Sequence, residues 1–324
     1  MKTNILVFMI LFHSLLGAAK EPTNSNETPD IQPDNTFLFI KKDSCELFLD
    51  LYKPKSEIDS STDKSTISEK KPTILFMFGG GFIYGNKADA DYLPWFKKLS
   101  EDGYTVVSID YRLGLKGVKG VGIAQVKAID KAIRLAVEDL YSATNFIIEN
   151  AEDLEIDPNN IILAGSSAGA ISVLQAEYER SNRTDIAKVL PEDFKYAGVI
   201  SFAGAILSFD GKLTYNSAPA PTLMLHGTKD KVVNYGQTRF FNIGFFGSKM
   251  IAERYAKFGY NYNFLRFLDN QHEIAISLME TYDYQIDFIN KNIINKEARI
   301  VDALIQDPSI KKGSTVASLD ELYD

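Results

Sequence analysis

The chain has 324 residues, 45% of them hydrophobic and 12% aromatic. That is ample for one large core or two small ones, and it argues against a disordered chain. The formal charge of −8 argues against a nucleic-acid partner, because proteins that neutralise a phosphate backbone carry a basic face.

Residues 1–19 read as a targeting segment: Lys2, an apolar run from Ile5 to Phe12, then the small residues Gly17, Ala18 and Ala19 where a cleavage site belongs. The run is shorter than the roughly 20 residues that span a bilayer, and no later stretch is long enough. The expectation is therefore an exported chain, periplasmic or secreted, whose mature form has no transmembrane span. The single cysteine, Cys45, cannot form an internal disulfide and is expected buried in a strand. Asn26-Glu27-Thr28 and Asn182-Arg183-Thr184 fit the N-glycosylation pattern.

Residues 20–35, rich in Pro, Asn, Thr and Asp, are expected to form a flexible leader, with folding from residue 36. Thr36 to Ile40 and Cys45 to Tyr52 have strand spacing and predict an antiparallel pair. Lys55 to Lys70 is almost devoid of apolar residues and reads as a surface loop. Pro72 to Phe78 predicts a buried strand running into Gly79-Gly80-Gly81-Phe82, and Tyr104 to Tyr111 predicts the next. In 124–151, Ile129, Ile133, Ala136, Leu140, Ala143 and Ile147 recur at helical spacing. Asp157-Pro158 ends that helix before the apolar strand that leads to residue 167. Tyr196 to Phe202, Thr222 to Leu225 and Asn263 to Leu268 are further strands. Strands alternate with helical stretches, which predicts an α/β domain over 36–295 with a mostly parallel sheet covered on both faces, followed by a tail over 296–324.

The chemistry begins at Gly165-Ser166-Ser167-Ala168-Gly169, where a strand meets a helix. A sharp turn there lifts one serine hydroxyl above the sheet edge, and the flanking glycines let the backbone pass close to itself. Ser167, centred between the glycines, is the candidate nucleophile; Ser166, between Ala164 and Ala168, is its rival. The three glycines at 79–81 read as a turn whose successive amides point at one spot, which suits a developing oxyanion. Asp230, on the loop after the Thr222 strand, is the candidate acid, with Asp210 and Asp269 as rivals. Of the three histidines, His13 leaves with the targeting segment. His226 abuts a strand end and is expected to bond backbone there, while His272 lies in a polar loop after the last predicted strand and is the candidate base.

Together these stretches resemble the α/β-hydrolase superfamily, in particular esterases and lipases with a glycine oxyanion strand, of the hormone-sensitive-lipase-like and feruloyl-esterase-like kind. The resemblance spans about residues 36–295 and rests on Phe-Gly-Gly-Gly-Phe, Asp-Tyr-Arg-Leu, Gly-Ser-Ser-Ala-Gly and His-Gly-Thr-Lys-Asp-Lys-Val-Val, in the order Ser167, Asp230, His272. It implies a serine carboxylesterase with no metal or cofactor, and oxyanion donors at the N–H groups of Gly80, Gly81 and Ala168. One position departs: Phe78 stands where the family usually has His, so the glycine loop must be held by packing.

The implied substrate is a small-molecule or carbohydrate ester. Aromatic stretches at 82–95 and 239–246 read either as core packing or as pocket wall, and Phe82, Tyr84 and Phe241 are the candidates for the wall. A serine peptidase of the same fold and a non-catalytic binding protein are the alternative readings. The former commonly needs an extra propeller or cap, for which the chain has no room; the latter commonly lacks a triad residue or a glycine.

Overall fold

The computed structural model describes residues 31–42, 44–55, 71–117, 123–310 and 312. The targeting segment, the polar stretch 56–70 and most of the leader lie outside them. Nine strands form the main sheet: β1 (Asn35–Lys42), β2 (Cys45–Tyr52), β3 (Thr73–Met77), β4 (Thr105–Ile109), β5 (Ile161–Ser166), β6 (Gly198–Phe202), β8 (Thr222–Gly227), β11 (Tyr262–Phe267) and β12 (Ile300–Ile305), in the order β1-β2-β4-β3-β5-β6-β8-β11-β12. The β1–β2 and β2–β4 pairs are antiparallel and the other pairs are parallel. β3, β5, β6 and β8 are buried along their whole length. Their near-continuous apolar runs are what a strand covered on both faces requires.

The covering helices are α1 (Leu93–Glu101), α2 (Ile123–Glu149), α3 (Ala168–Asn182), α4 (Ser248–Phe258) and α5 (Tyr282–Phe288). The six apolar positions that predict α2 are all buried, so one stripe of that helix packs inward and the other faces water. Asp139, on α2, is also fully buried and is held by Arg112 and Lys42. The Asp-Tyr-Arg-Leu stretch thus fastens the end of β4 to α2.

Three expectations need correction, and one element is new. The leader does not run to residue 35: Ile31 is buried, and the Asp34 N–H donates to Leu51 O at 2.8 Å, extending the β1 edge. The domain does not stop at 295, because β12 adds a parallel strand to β11 with Tyr262 opposite Ile300 and Phe267 opposite Ile305, and Ile310 is buried. Cys45 is exposed at the start of β2. A second, antiparallel sheet, unforeseen in the sequence, is built from β7 (Ala205–Ser208), β9 (Gln237–Phe240) and β10 (Ile243–Gly247), with β10 in the middle. At the second glycosylation pattern, the Asn182 amide already donates to Tyr178 O and Thr214 O.

Because β5, β8 and β11 are mutually parallel in the sheet's order, their C-terminal ends open on one edge. The loops that follow them carry Ser167, Asp230 and His272, so the topology alone brings these residues to one side of the molecule.

Candidate active site

Ser167 sits between β5 and α3 with φ +50° and ψ −113°, a conformation that side-chain-bearing residues rarely adopt and that recurs where strain is functional. Its neighbours make the turn possible. A Cβ added to Gly165 would strike the Gly169 backbone, and one added to Gly169 would strike Met77 O at the end of β3. The Ser167 N–H is anchored on Phe202 O at 2.9 Å. Ala168 begins α3, so its N–H is among the first-turn amides that the helix itself leaves unsatisfied.

The loops after β8 and β11 are stitched to each other. Lys229 N–H donates to Asn270 O at 2.9 Å and Asp269 N–H to Thr228 Oγ1 at 2.9 Å. This places His272 Nδ1 2.7 Å from Asp230 Oδ2, and His272 Nε2 2.8 Å from Ser167 Oγ. An ionised carboxylate only accepts, so Nδ1 carries the proton and Nε2 is left bare to take the Ser167 hydroxyl proton. Asp230 is 5% exposed, and its Oδ1 accepts the N–H groups of Val232 and Val233 at 2.8 and 3.0 Å. Burial alone pushes the Asp230 carboxyl up, but the electrostatic pull of His272 and hydrogen bonds from His226 and His272 outweigh it and hold the group well below the usual carboxylate range.

His226 is fully buried. Its Nε2 lies 2.9 Å from Val233 O, an acceptor only, so that nitrogen is the donor and Nδ1 accepts from Ser248 Oγ at 2.7 Å. The backbone bond expected of it is present. Nε2 also lies 3.3 Å from Asp230 Oδ2, so two histidines share one carboxylate. The rival acids are elsewhere: Asp269 pairs with Lys229 at 2.8 Å on the surface, and Asp210 is exposed in the turn after β7. Ser166, the rival nucleophile, is buried and donates to Ala275 O at 2.7 Å.

The three glycines adjoin the elbow, since a Cβ built on Gly79 would stand 3.1 Å from Ser166 Oγ. Gly80 and Gly81 have φ of +111° and +62°, and Gly80 O closes the turn by accepting from Ile83 and Tyr84 N–H at 3.0 and 3.2 Å. Beneath this turn Phe78 is buried and stacked on Tyr111, with centroids 4.4 Å apart, while the Tyr111 hydroxyl donates to Phe78 O at 2.9 Å. The packing expected of Phe78 is present, and one bond to its backbone from Tyr111 is added to it.

The aromatic candidates for the pocket wall fare differently. Phe82 is fully buried, edge-on to Tyr111, and its carbonyl accepts from Leu115 N–H; it is core, not wall. Phe241 is 74% exposed at the tip of the β9–β10 hairpin. That hairpin pairs with β7, which runs along α3 away from the nucleophile. Leu207 N–H, for instance, donates to Gln175 Oε1, eight residues or about 12 Å along the helix from Ser167. Phe241 is therefore remote from the triad. Tyr84 is half-buried in the turn that follows the glycines. Tyr92, which no sequence motif singles out, bonds both Gly79 and Ser166. A separate cleft of about 380 Å³, lined by Arg180, Arg183, Lys188, Glu192 and Phe194, lies at the far end of α3 from Ser167. Its cations are paired with Glu177, Glu192 and Asp185.

A parallel sheet with a strained Ser turn after its fifth strand, and an acid and a histidine on the loops after two later strands, is the α/β-hydrolase fold. Among solved structures, a thermophilic esterase from the Planctomycetes species Thermogutta terrifontis superposes with a TM-score of 0.58 over 84% of this chain and 95% of that one, at 20% identity. The BD-FAE family model matches residues 49–210, half of the chain, and the chain belongs to that family. Curated relatives include Gut esterase 1 of Caenorhabditis elegans, 29% identical over 144 residues, and Secreted lipase 1 of Botryotinia fuckeliana (strain B05.10), 30% identical over 146 residues. Each alignment covers 44% of this chain and 23% of the relative, so the chain matches under a quarter of those proteins.

Proposed function

We propose that the chain is a serine carboxylesterase that works through an acyl-enzyme. The observation that carries this reading is the unbroken line Ser167 Oγ, His272, Asp230, with links of 2.8 and 2.7 Å. In the first half-reaction Ser167 attacks the ester carbonyl as His272 Nε2 takes its proton, and Asp230 stabilises the imidazolium that results. The carbonyl oxygen becomes an oxyanion, for which the N–H groups of Gly80, Gly81 and Ala168 are the donors in this reading. His272 then gives the proton to the departing alkoxide. Water, deprotonated by the same ring, releases the acid and restores Ser167.

Small-molecule esters are the broad substrate class, and acyl groups on carbohydrate are the finer reading. A hydrolysis panel decides between them: aryl esters of increasing acyl length against acetylated and feruloylated sugars. Turnover of the sugar esters at rates above the aryl esters supports the finer reading; turnover of aryl esters alone removes it, and turnover of neither class removes the esterase itself. Export is proposed on the charged, apolar and small-residue order of residues 1–19. Mass spectrometry of natively produced protein should find a mature N-terminus near Lys20, and an intact Met1 on protein from the soluble cytoplasm would refute it.

A further inference from the structure

Three buried hydrogen bonds tie the glycine turn, which the triad does not reach, to the elbow and the histidine loop. The Gly79 N–H donates to the Tyr92 hydroxyl at 3.0 Å, Tyr92 donates to Ser166 Oγ at 3.1 Å, and Ser166 donates to Ala275 O at 2.7 Å. The direction is fixed by chemistry. An amide N–H can only donate and a carbonyl can only accept, so each hydroxyl between them must accept once and donate once in the same sense. Burial pushes the Tyr92 phenol up to about 12, which keeps its proton in place throughout the neutral range.

Each member but Tyr92 lies close in sequence to a reacting group. Gly79 precedes the donor glycines Gly80 and Gly81; Ser166 precedes the nucleophile; Ala275 is three residues after His272 in the short 3-10 turn His272–Ile276. The relay thus ties three separate segments, the glycine turn, the elbow and the histidine loop, at a fixed spacing. Tyr92 is held for this by its ring, which packs edge-on to Phe76 at 4.8 Å and beside Phe96 at 6.5 Å.

We propose that Tyr92 and Ser166 are positioning residues, whose hydroxyls set the oxyanion amides against the histidine in the transition state. This rests on the esterase reading and deepens it. Ser166, the second serine of the elbow, is on this view a strut, its proton committed to Ala275 O. Removing either hydroxyl leaves a buried donor or acceptor without its partner and frees the glycine turn to shift relative to His272.

The test uses Tyr92→Phe, Ser166→Ala and the double variant of the full chain. The readouts are steady-state kinetics on a short aryl ester, the rate of phosphonylation of Ser167 by an organophosphate, and thermal melting. Tyr92→Phe keeps the packed ring. Each single change should lower kcat by about 10- to 100-fold, at or below the loss seen when an oxyanion donor is deleted, with KM within about twofold as for an interaction made in the transition state. The double variant should be scarcely slower than the worse single one, because a broken relay is not broken twice. Three results overturn the proposal: a folded Tyr92→Phe or Ser166→Ala with wild-type kcat, losses confined to KM, or losses that multiply in the double variant. If Tyr92→Phe does not fold, Ser166→Ala decides alone by its kcat and phosphonylation rate. A wild-type chain that neither turns over an ester nor takes the label overturns the esterase reading and the relay's role with it, whereas an active wild type beside an unaltered variant overturns the relay only.

Discussion

Ser167 and Ser166 are adjacent, yet one faces His272 and the other donates to a carbonyl, so substitution should separate them. Ser167→Ala is expected to abolish ester turnover and organophosphate labelling, while Ser166→Ala is still labelled at Ser167, more slowly. Label found on Ser166 in the Ser167→Ala protein would contradict the assignment. Asp230 gives a pH-dependent expectation. A carboxyl whose folded value lies below its unfolded one lends stability above about pH 4, its unfolded value, and loses it as pH falls further. Asp230→Asn should therefore melt below wild type at pH 6, and the gap should close as pH drops from about 4 toward 2; melting curves with a constant gap would refute this. At Phe78, the ring is 2% exposed and stacked on Tyr111, so Phe78→Ala should cost about 3–5 kcal/mol, as other large-to-small core changes do, and should slow turnover by loosening the glycine turn above it. Near-wild-type melting and rate would show that the ring is not the anchor. The triad was legible because each member falls in a short pattern with its own chemistry, a glycine-flanked serine or a polar loop after an apolar strand. Phe82 and Phe241 were not, because an aromatic residue announces that it will pack without announcing against what. Tyr92 was invisible for a related reason: its role depends on a residue 74 positions away.

The buried parallel strands and the long helix α2 were readable as elements, since an apolar run or a helical stripe states both its type and its buried face. β12 was not, because Ile300, Asp302 and Leu304 are exposed and only the alternate residues turn inward, giving a weak pattern after a polar stretch. Yet β12 covers one flank of β11, the strand that leads to His272. A chain ending at Asn295 should therefore melt lower by on the order of 10 °C, as expected if several kcal/mol are lost from a domain this large, and should lose activity in proportion; an unchanged melting temperature would show the strand to be an appendage. The small sheet β7-β10-β9 was missed because its strands run to only four or five residues, and the aromatic run at 239–246, which read either as core packing or as pocket wall, is a hairpin paired with β7.

At the scale of the molecule, the site is a property of the sheet's order. The two hydrogen bonds of His272 close sequence separations of 105 and 42 residues, and β8 and β11 lie side by side only because the crossovers carry the chain outward from β6. The sequence showed the order of the three residues, and strand neighbours could not be read from it. There is a consequence for the chain as it is made. Synthesis runs from the N-terminus, so the glycine turn and the elbow are made before the base. Without His272 the serine is an ordinary alcohol, and Ala275, the terminus of the hydroxyl relay, is missing as well. A chain that has not yet reached His272 therefore carries Ser167 without the group that would take its proton.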